Sequence, residues 1–271
     1  MQEIKTMITT RFFNSLAILF VLTGFSVLLI ADRNAQQEAA KAYFEAGKMY
    51  YSGNSISRDY QKAFDSFKKA ALMNIPGAQY YLGHMYYHGY GTRKNLAKAN
   101  RWLRKAADRG HAGAQLELGL LLADGEGPIK QDLKKAAKLF EKAAARGSNR
   151  AIFNLGFAYA NGEGVKKNFT KAAELYTLAA EKGVDKAMFN LGLLYLSGKG
   201  VQKDPSKAAE WFKRAAEKNN PNAQFNLGAM YANGIGVKKD MKTAAQWIKK
   251  AKDNGLDKAA RVWNKNKLWK Y

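Results

Sequence analysis

The chain has no cysteine, four prolines and three histidines, and its 22 acidic residues face 45 basic ones. Without cysteine there is no disulfide framework, no thiolate nucleophile and no cysteine metal site. The shortage of histidine leaves His84, His88 and His111 as the whole supply of imidazole. His84 and His88 stand one helical turn apart, so both rings can face one ion. No acid sits between them as in H-E-x-x-H, and no third ligand is at hand. No serine, histidine and acid are grouped for nucleophilic catalysis. Lysine-bearing glycine loops such as Gly234-Ile235-Gly236-Val237-Lys238-Lys239 lack P-loop spacing and a preceding strand. The expectation is no catalytic residue, no metal and no cofactor, hence no enzyme.

Long hydrophobic runs are missing too, with one exception. Phe12 to Ala31 is twenty residues without a charge, bracketed by Arg11 and Asp32. As a helix it reaches about 30 Å, the thickness of a bilayer core. Signal-peptide cores are shorter and leave through an A-x-A-like exit, whereas Leu29-Ile30-Ala31 places leucine where a small residue is wanted. The expectation is an uncleaved transmembrane anchor at 12–31 after a tail at 1–11. A cleaved signal peptide and a buried soluble helix are the alternatives. Lys5 and Arg11 before the segment lean the orientation towards a cytoplasmic tail and an exported remainder. Residues 32–41 hold neither proline nor glycine, which predicts a short helical connector.

What fills the rest is repetition. Copies open at Ala42, Ala78, Ala114, Ala151, Ala187 and Ala223, with a truncated seventh at Ala259, at spacings of 36, 36, 37, 36, 36 and 36 residues. A fixed period in this range predicts stacked helical repeats, here 42–77, 78–113, 114–150, 151–186, 187–222 and 223–258. In the first half of a copy, Ala187, Leu191, Leu194 and Tyr195 share one helical face. Gly192 lies inside that pattern, with Gly47, Gly83, Gly119, Gly156 and Gly228 in the other copies. A glycine there costs about 0.5–1 kcal/mol against alanine, so six of them predict a close helix crossing. The second helix is expected to start at Asp59, Asn95, Asp132, Asn168, Asp204 and Asp240, all good N-caps. It is expected to end at Asn74, Gly110, Gly147, Gly183, Asn219 and Gly255, which tolerate the left-handed conformation.

The pattern A-x-x-x-L-G-x-x-Y-x-x-G-x-G-V-x-x-D-x-x-K-A-x-x-W-x-x-K-A-A resembles the Sel1-like repeat, a relative of tetratricopeptide repeats, from Ala42 to Lys258. Repeat one departs most, with Ala46 for leucine and Ser55 for the second loop glycine, and repeat three carries one extra residue near Pro128-Ile129. With the apolar segment added, the expected fold is all-α. It is a right-handed α-α superhelix (solenoid) of six Sel1-like helix pairs with a basic C-terminal cap at 259–271, preceded by one N-terminal transmembrane helix. The resemblance implies a binding scaffold or adaptor, in a bacterial cell envelope, whose partners are other proteins. The expected location is the inner (cytoplasmic) membrane, single-pass, with the repeats on the periplasmic side, or a secreted or periplasmic form after signal cleavage. An exported cell-wall or β-lactam hydrolase-like enzyme and an anionic-surface-binding structural protein are the alternatives.

Two surfaces stand out as candidate sites. Tyr80, Tyr81, His84, Tyr87 and His88 crowd repeat two, as interface-anchoring residue types, although packing of the atypical first repeats explains them equally well. Tyr86, at the family's core position, is expected to be buried. Arg58, Lys94, Lys130, Lys167, Lys203 and Lys239 precede successive second helices and form a predicted basic edge beside helix N-termini. The net charge of +23 suits acidic proteins or an anionic membrane surface as partners, and export disfavours nucleic acid.

Overall fold

The helices follow the caps written in the sequence. The computed structural model describes residues 32–54, 56–265 and 270, and no β-strand occurs among them. Residues 32–52 form α1. It is followed by α2 (Tyr60–Leu72), α3 (Pro76–His88), α4 (Leu96–Asp108), α5 (Ala112–Asp124), α6 (Leu133–Ala145) and α7 (Asn149–Asn161). Then come α8 (Phe169–Glu181), α9 (Asp185–Ser197), α10 (Pro205–Glu217), α11 (Pro221–Asn233), α12 (Met241–Asp253) and α13 (Asp257–Lys265). Two compact units divide the chain within α4, one ending at Lys105 and the other beginning at Ala106. The predicted transmembrane helix at 12–31 lies outside the described residues, and no helix among the described residues is long and apolar enough to cross a membrane. The predicted connector at 32–41 is the first part of α1.

All six second helices begin on the expected caps. Asp59, Asn95, Asp132, Asn168 and Asp204 each accept the N–H three residues on at 2.9–3.0 Å, and Asp240 accepts from both Lys242 and Thr243. The N–H of each cap in turn donates back to the first helix, as Asn168 does to Tyr159 O at 2.8 Å and Asp204 to Tyr195 O at 2.9 Å. Loop and helix start are thus tied to the pair they join. The helices stop where expected, with Asn74 and Asn219 at φ 66° and 63°, and glycine at the other four places.

In the first unit, α1 and α2 pack through Gly47, where a Cβ would lie 2.6 Å from the Phe67 ring. In the second unit the same crossing recurs at Gly119 against Phe140, Gly156 against Tyr176, Gly192 against Phe212 and Gly228 against Ile248, at 2.6–3.0 Å. Any larger residue would force these pairs apart. The aromatic partners are buried, Phe212 and Phe67 completely, and each such burial contributes about 1.5–3 kcal/mol. At the C-terminal end, Val262 and Trp263 of α13 pack on Ala245, Ile248 and Ala251 of α12, and Ala259 is fully buried. Capping therefore starts two residues before the predicted Ala259, at Asp257.

Candidate functional site

In the first unit, α3 carries the five predicted aromatic and histidine residues on a half-buried face, and the structure separates their roles. Tyr81 lies flat on Phe67 of α2, ring centroids 4.6 Å apart and planes within 4°, so it joins one helix pair to the next. Tyr86 is buried edge-on against Phe64, as expected, and burial pushes its phenol above the usual range. Tyr80, His84 and Tyr87 are half-buried, and His88 is exposed. His88 stacks on Tyr90 at 5.2 Å, and Tyr90 stacks on Tyr60 at 4.8 Å, giving a run of three parallel rings. The His84 and His88 rings are 4.4 Å apart, yet no set of three or more metal-ligating side chains occurs among the described residues.

Two members of the predicted basic edge join this surface. The Arg58 guanidinium lies 5.8 Å over Tyr60 and the Lys94 ammonium 5.6 Å over Tyr87. The tyrosine, histidine and basic features, separate in the sequence, form one cation-rimmed aromatic surface in this unit.

In the second unit the edge departs from the prediction at repeat three. Lys167, Lys203 and Lys239 pack their Cβ atoms against Gly162, Gly198 and Gly234, 3.1–3.3 Å from where a glycine Cβ would stand. The extra residue of repeat three puts Gln131 in that place, against Gly125, with its Nε2 donating to Ala123 O at 2.8 Å. Lys130 is displaced by one position, so the column of cations is interrupted there. Lys167 and Lys199, from adjacent repeats, both approach the Phe169 ring, at 5.0 and 5.5 Å. A second row was not anticipated: Lys171 sits 5.2 Å over Tyr159 and Lys207 5.7 Å over Tyr195, as Lys62 and Lys98 do over Tyr50 and Tyr86 in the first unit. A cation in the first turn opposes the helix dipole, and the ring face offsets that cost.

Further residues have roles that their spacing did not reveal. His111 caps α5 by accepting the Ala114 N–H on Nδ1 at 3.2 Å. Burial holds this imidazole below its usual pKa, with Glu117 opposing the shift. Tyr176 is pushed up to about 12 by burial, while a hydrogen bond from Asn190 acts the other way. The loop glycines Gly164, Gly200 and Gly236 do more than turn. A Cβ on each would fall 2.1–2.3 Å from the backbone of Leu133, Phe169 or Pro205, the first residue of the preceding second helix.

The Sel1 repeat family matches residues 40–75, 76–111, 112–148, 149–184, 185–220 and 221–256, two residues ahead of the alanine frame. A Sel1 repeat protein from Oxalobacter formigenes is 38% identical, with a TM-score of 0.72 over 79% of this chain and 87% of its own. A protective antigen of uropathogenic Escherichia coli displaying an SLR fold is 32% identical, with a TM-score of 0.76 over 84% of this chain. The chain spans about half of that antigen, 49% of its length. The pilF protein of Pseudomonas aeruginosa, 18% identical with a TM-score of 0.60 over 81% of this chain and 93% of its own, shares the fold alone. No curated protein matches the chain in sequence.

Proposed function

Because this chain belongs to the Sel1 repeat family, whose helix-pair fold is a protein-interaction scaffold, we propose that it is an adaptor held at the inner membrane by residues 12–31, with its repeats outside the cytoplasm. The carrying observation is the exposed side of α3. Where the four later copies place Ala123, Ala160, Leu196 and Ala232, repeat two has Tyr87, as repeat one has Tyr51, and where they place Asp124, Asn161, Ser197 and Asn233 it has His88. Tyr87 is only partly buried on the core of this unit and His88 is exposed, and Tyr, His and Arg together at one place are the chemistry of interface anchors. Anchoring rests on the twenty uncharged residues from Phe12 to Ala31.

A photocrosslinker placed at His88 in cells should capture a discrete protein, and one placed at the exposed Leu178 of α8 should not. Equal capture at both positions would refute the binding surface. A C-terminal reporter active only outside the cytoplasm should work when fused to the full chain, and its failure would refute the topology. Turnover that survives purification and is lost with one named residue would overturn the scaffold reading in favour of an enzyme. A second reading, contact with an anionic surface, is favoured by Lys167 and Lys199 converging on one ring; vesicle binding that collapses in high salt is its test.

A further inference from the structure

Copies of one fold act as controls for one another, and in the second unit one joint between copies is hollow. Where α5, α6 and α7 meet there is a cavity of about 160 Å³, with the buried Ala136, Phe140 and Ala158 among its apolar walls and Leu133 and Phe157 beside them. Phe157 is 42% exposed, a large ring that the core leaves to solvent. Clefts for small-molecule ligands run to about 300–1,000 Å³, so this one has room for a single side chain. Its polar side chains are Asp124, Asn154 and Glu163, and no cation lines it, in a chain of net charge +23. Neither carboxylate has an ion-pair partner among the described residues. Asn154 turns its amide nitrogen to Arg150 O at 2.9 Å, which leaves Oδ1 as a third acceptor.

The next joint, made by α7, α8 and α9, shows what the fold places here. Phe169 stands where Leu133 does, Lys199 where Glu163 does and Asn161 where Asp124 does. Lys167 and Lys199 both lie over the Phe169 ring, at 5.0 and 5.5 Å. The place of Lys167 falls to Gln131, whose amide is committed to Ala123 O. One joint therefore seats two lysines of its own. The other has exchanged them for a glutamine and a glutamate, replaced the ring with a smaller leucine and added a second carboxylate. One joint further on, Ser197 and Ile235 hold the places of Asp124 and Glu163, and neither is acidic.

We propose that the hollow takes a lysine side chain of a partner protein, supplying from outside the cation that the next joint supplies from within. The four-carbon stem lies against Leu133, Ala136 and Phe157. The ammonium brings three donors to the two carboxylates and Asn154 Oδ1. The Phe157 ring offers it the kind of face that Phe169 offers Lys199. An apolar side chain would leave both carboxylates unpaired, and an acidic one would be repelled. The inference rests on the scaffold reading and names the chemistry of a partner contact in the second unit.

The test is an NMR titration of the full chain, labelled at leucine and alanine methyl groups. The probes are acetyl-glycyl-lysyl-glycine amide and its norleucine counterpart, which keeps the four-carbon stem and loses the charge. The lysine peptide should shift the Leu133 and Ala136 methyls saturably at millimolar concentration while those of Leu178 stay in place. The norleucine peptide should bind at least about tenfold more weakly, a comparison that needs no variant. Glu163→Lys copies position 199 and should weaken the lysine peptide at least about tenfold. Leu133→Phe copies position 169 and should weaken it, read at Ala136, with both carboxylates intact. Each new residue already stands at that place in the next copy, so circular dichroism should show the helices retained. Equal binding of the two peptides, unchanged binding in either variant, or no saturable shift would each overturn the proposal. None of these results touches the crosslinking test at His88, so the two readings fail separately.

Discussion

Alanine at Gly200 and alanine at Gly147 should have very different consequences, although both glycines have left-handed backbones, at φ +72° and +83°. For either, alanine in that conformation costs about 1–2 kcal/mol. At Gly147 nothing lies within 4 Å of the new methyl group, so the backbone cost is the whole effect. At Gly200 the methyl would stand 2.2 Å from Phe169 C, 2.3 Å from its O and 2.6 Å from Thr170 N, well inside the ordinary 3.4–4 Å contact. These are backbone atoms of the first turn of α8, which cannot swing aside as a side chain can. Overpacking of this kind adds about 1–3 kcal/mol. We therefore expect Gly147→Ala to lose about 1–2 kcal/mol and Gly200→Ala about 2–5 kcal/mol. Urea unfolding followed by circular dichroism gives the midpoints. Hydrogen exchange shows whether the loss falls on α8 and α10, since stacked repeats need not unfold together. Equal midpoints for the two variants would refute the idea that this loop bears on the preceding repeat.

Other expectations concern protons and surfaces. The folded pKa of His111 is lowered, so its contribution is fully present above about pH 6.5 and is lost as pH falls through the folded value. Replacing it with asparagine, the cap found at position 220, should flatten thermal stability between pH 7 and pH 5. Hydrogen bonds from the Lys135 side chain and backbone N–H depress Asp132, and those from Thr243 depress Asp240; both contributions are present above about pH 3.8 and are lost below it, which carboxyl NMR titration of each residue checks. Tyr176, pushed up to about 12, is the opposite case: its contribution holds below about pH 10 and fades as pH rises towards 12. Tyr176→Phe should remove that alkaline loss, and the phenol should be a late titrator in ultraviolet absorbance. Tyr81→Ala should cost about 3–5 kcal/mol by emptying the stack on Phe67, whereas His88→Ala should stay within about 0.5 kcal/mol. A partner lost with the latter alone is lost from the surface, not from the fold.

Much of the fold was legible because it is decided locally. An aspartate or asparagine at an N-cap accepts a bond from three residues along, and a glycine or asparagine after a helix adopts a left-handed backbone, so neither needs knowledge of the rest of the chain. The helical glycines were legible for another reason, since repetition turned a long-range crossing into a periodic signal. What escaped notice depends on the neighbouring copy or on a shift of frame. Lys130 has a place in the expected basic edge although it stands two residues before its cap Asp132 and the others stand one before theirs; with the added residue near Pro128, Gln131 takes that place. The imidazole of His111 serves as a cap where other copies use Ser148 and Asn220, a role no histidine spacing suggests. Arg58 and Lys94, edge residues by position, lie over Tyr60 and Tyr87, contacts that only the folded chain creates.

The contact of Gly164, Gly200 and Gly236 with the helix before each of them also sets the grammar by which such a chain can lengthen. The joint spans two copies, so a duplication of one full period reproduces both of its halves wherever the cut falls. A duplication of any other length would break a joint on each side of it. Single added residues have one safe address, between the second loop glycine and the next N-cap, and the one extra residue of this chain lies there, between Gly127 and Asp132. Growth by whole periods is therefore open at any phase, while growth by single residues is confined to a stretch of three or four positions per repeat.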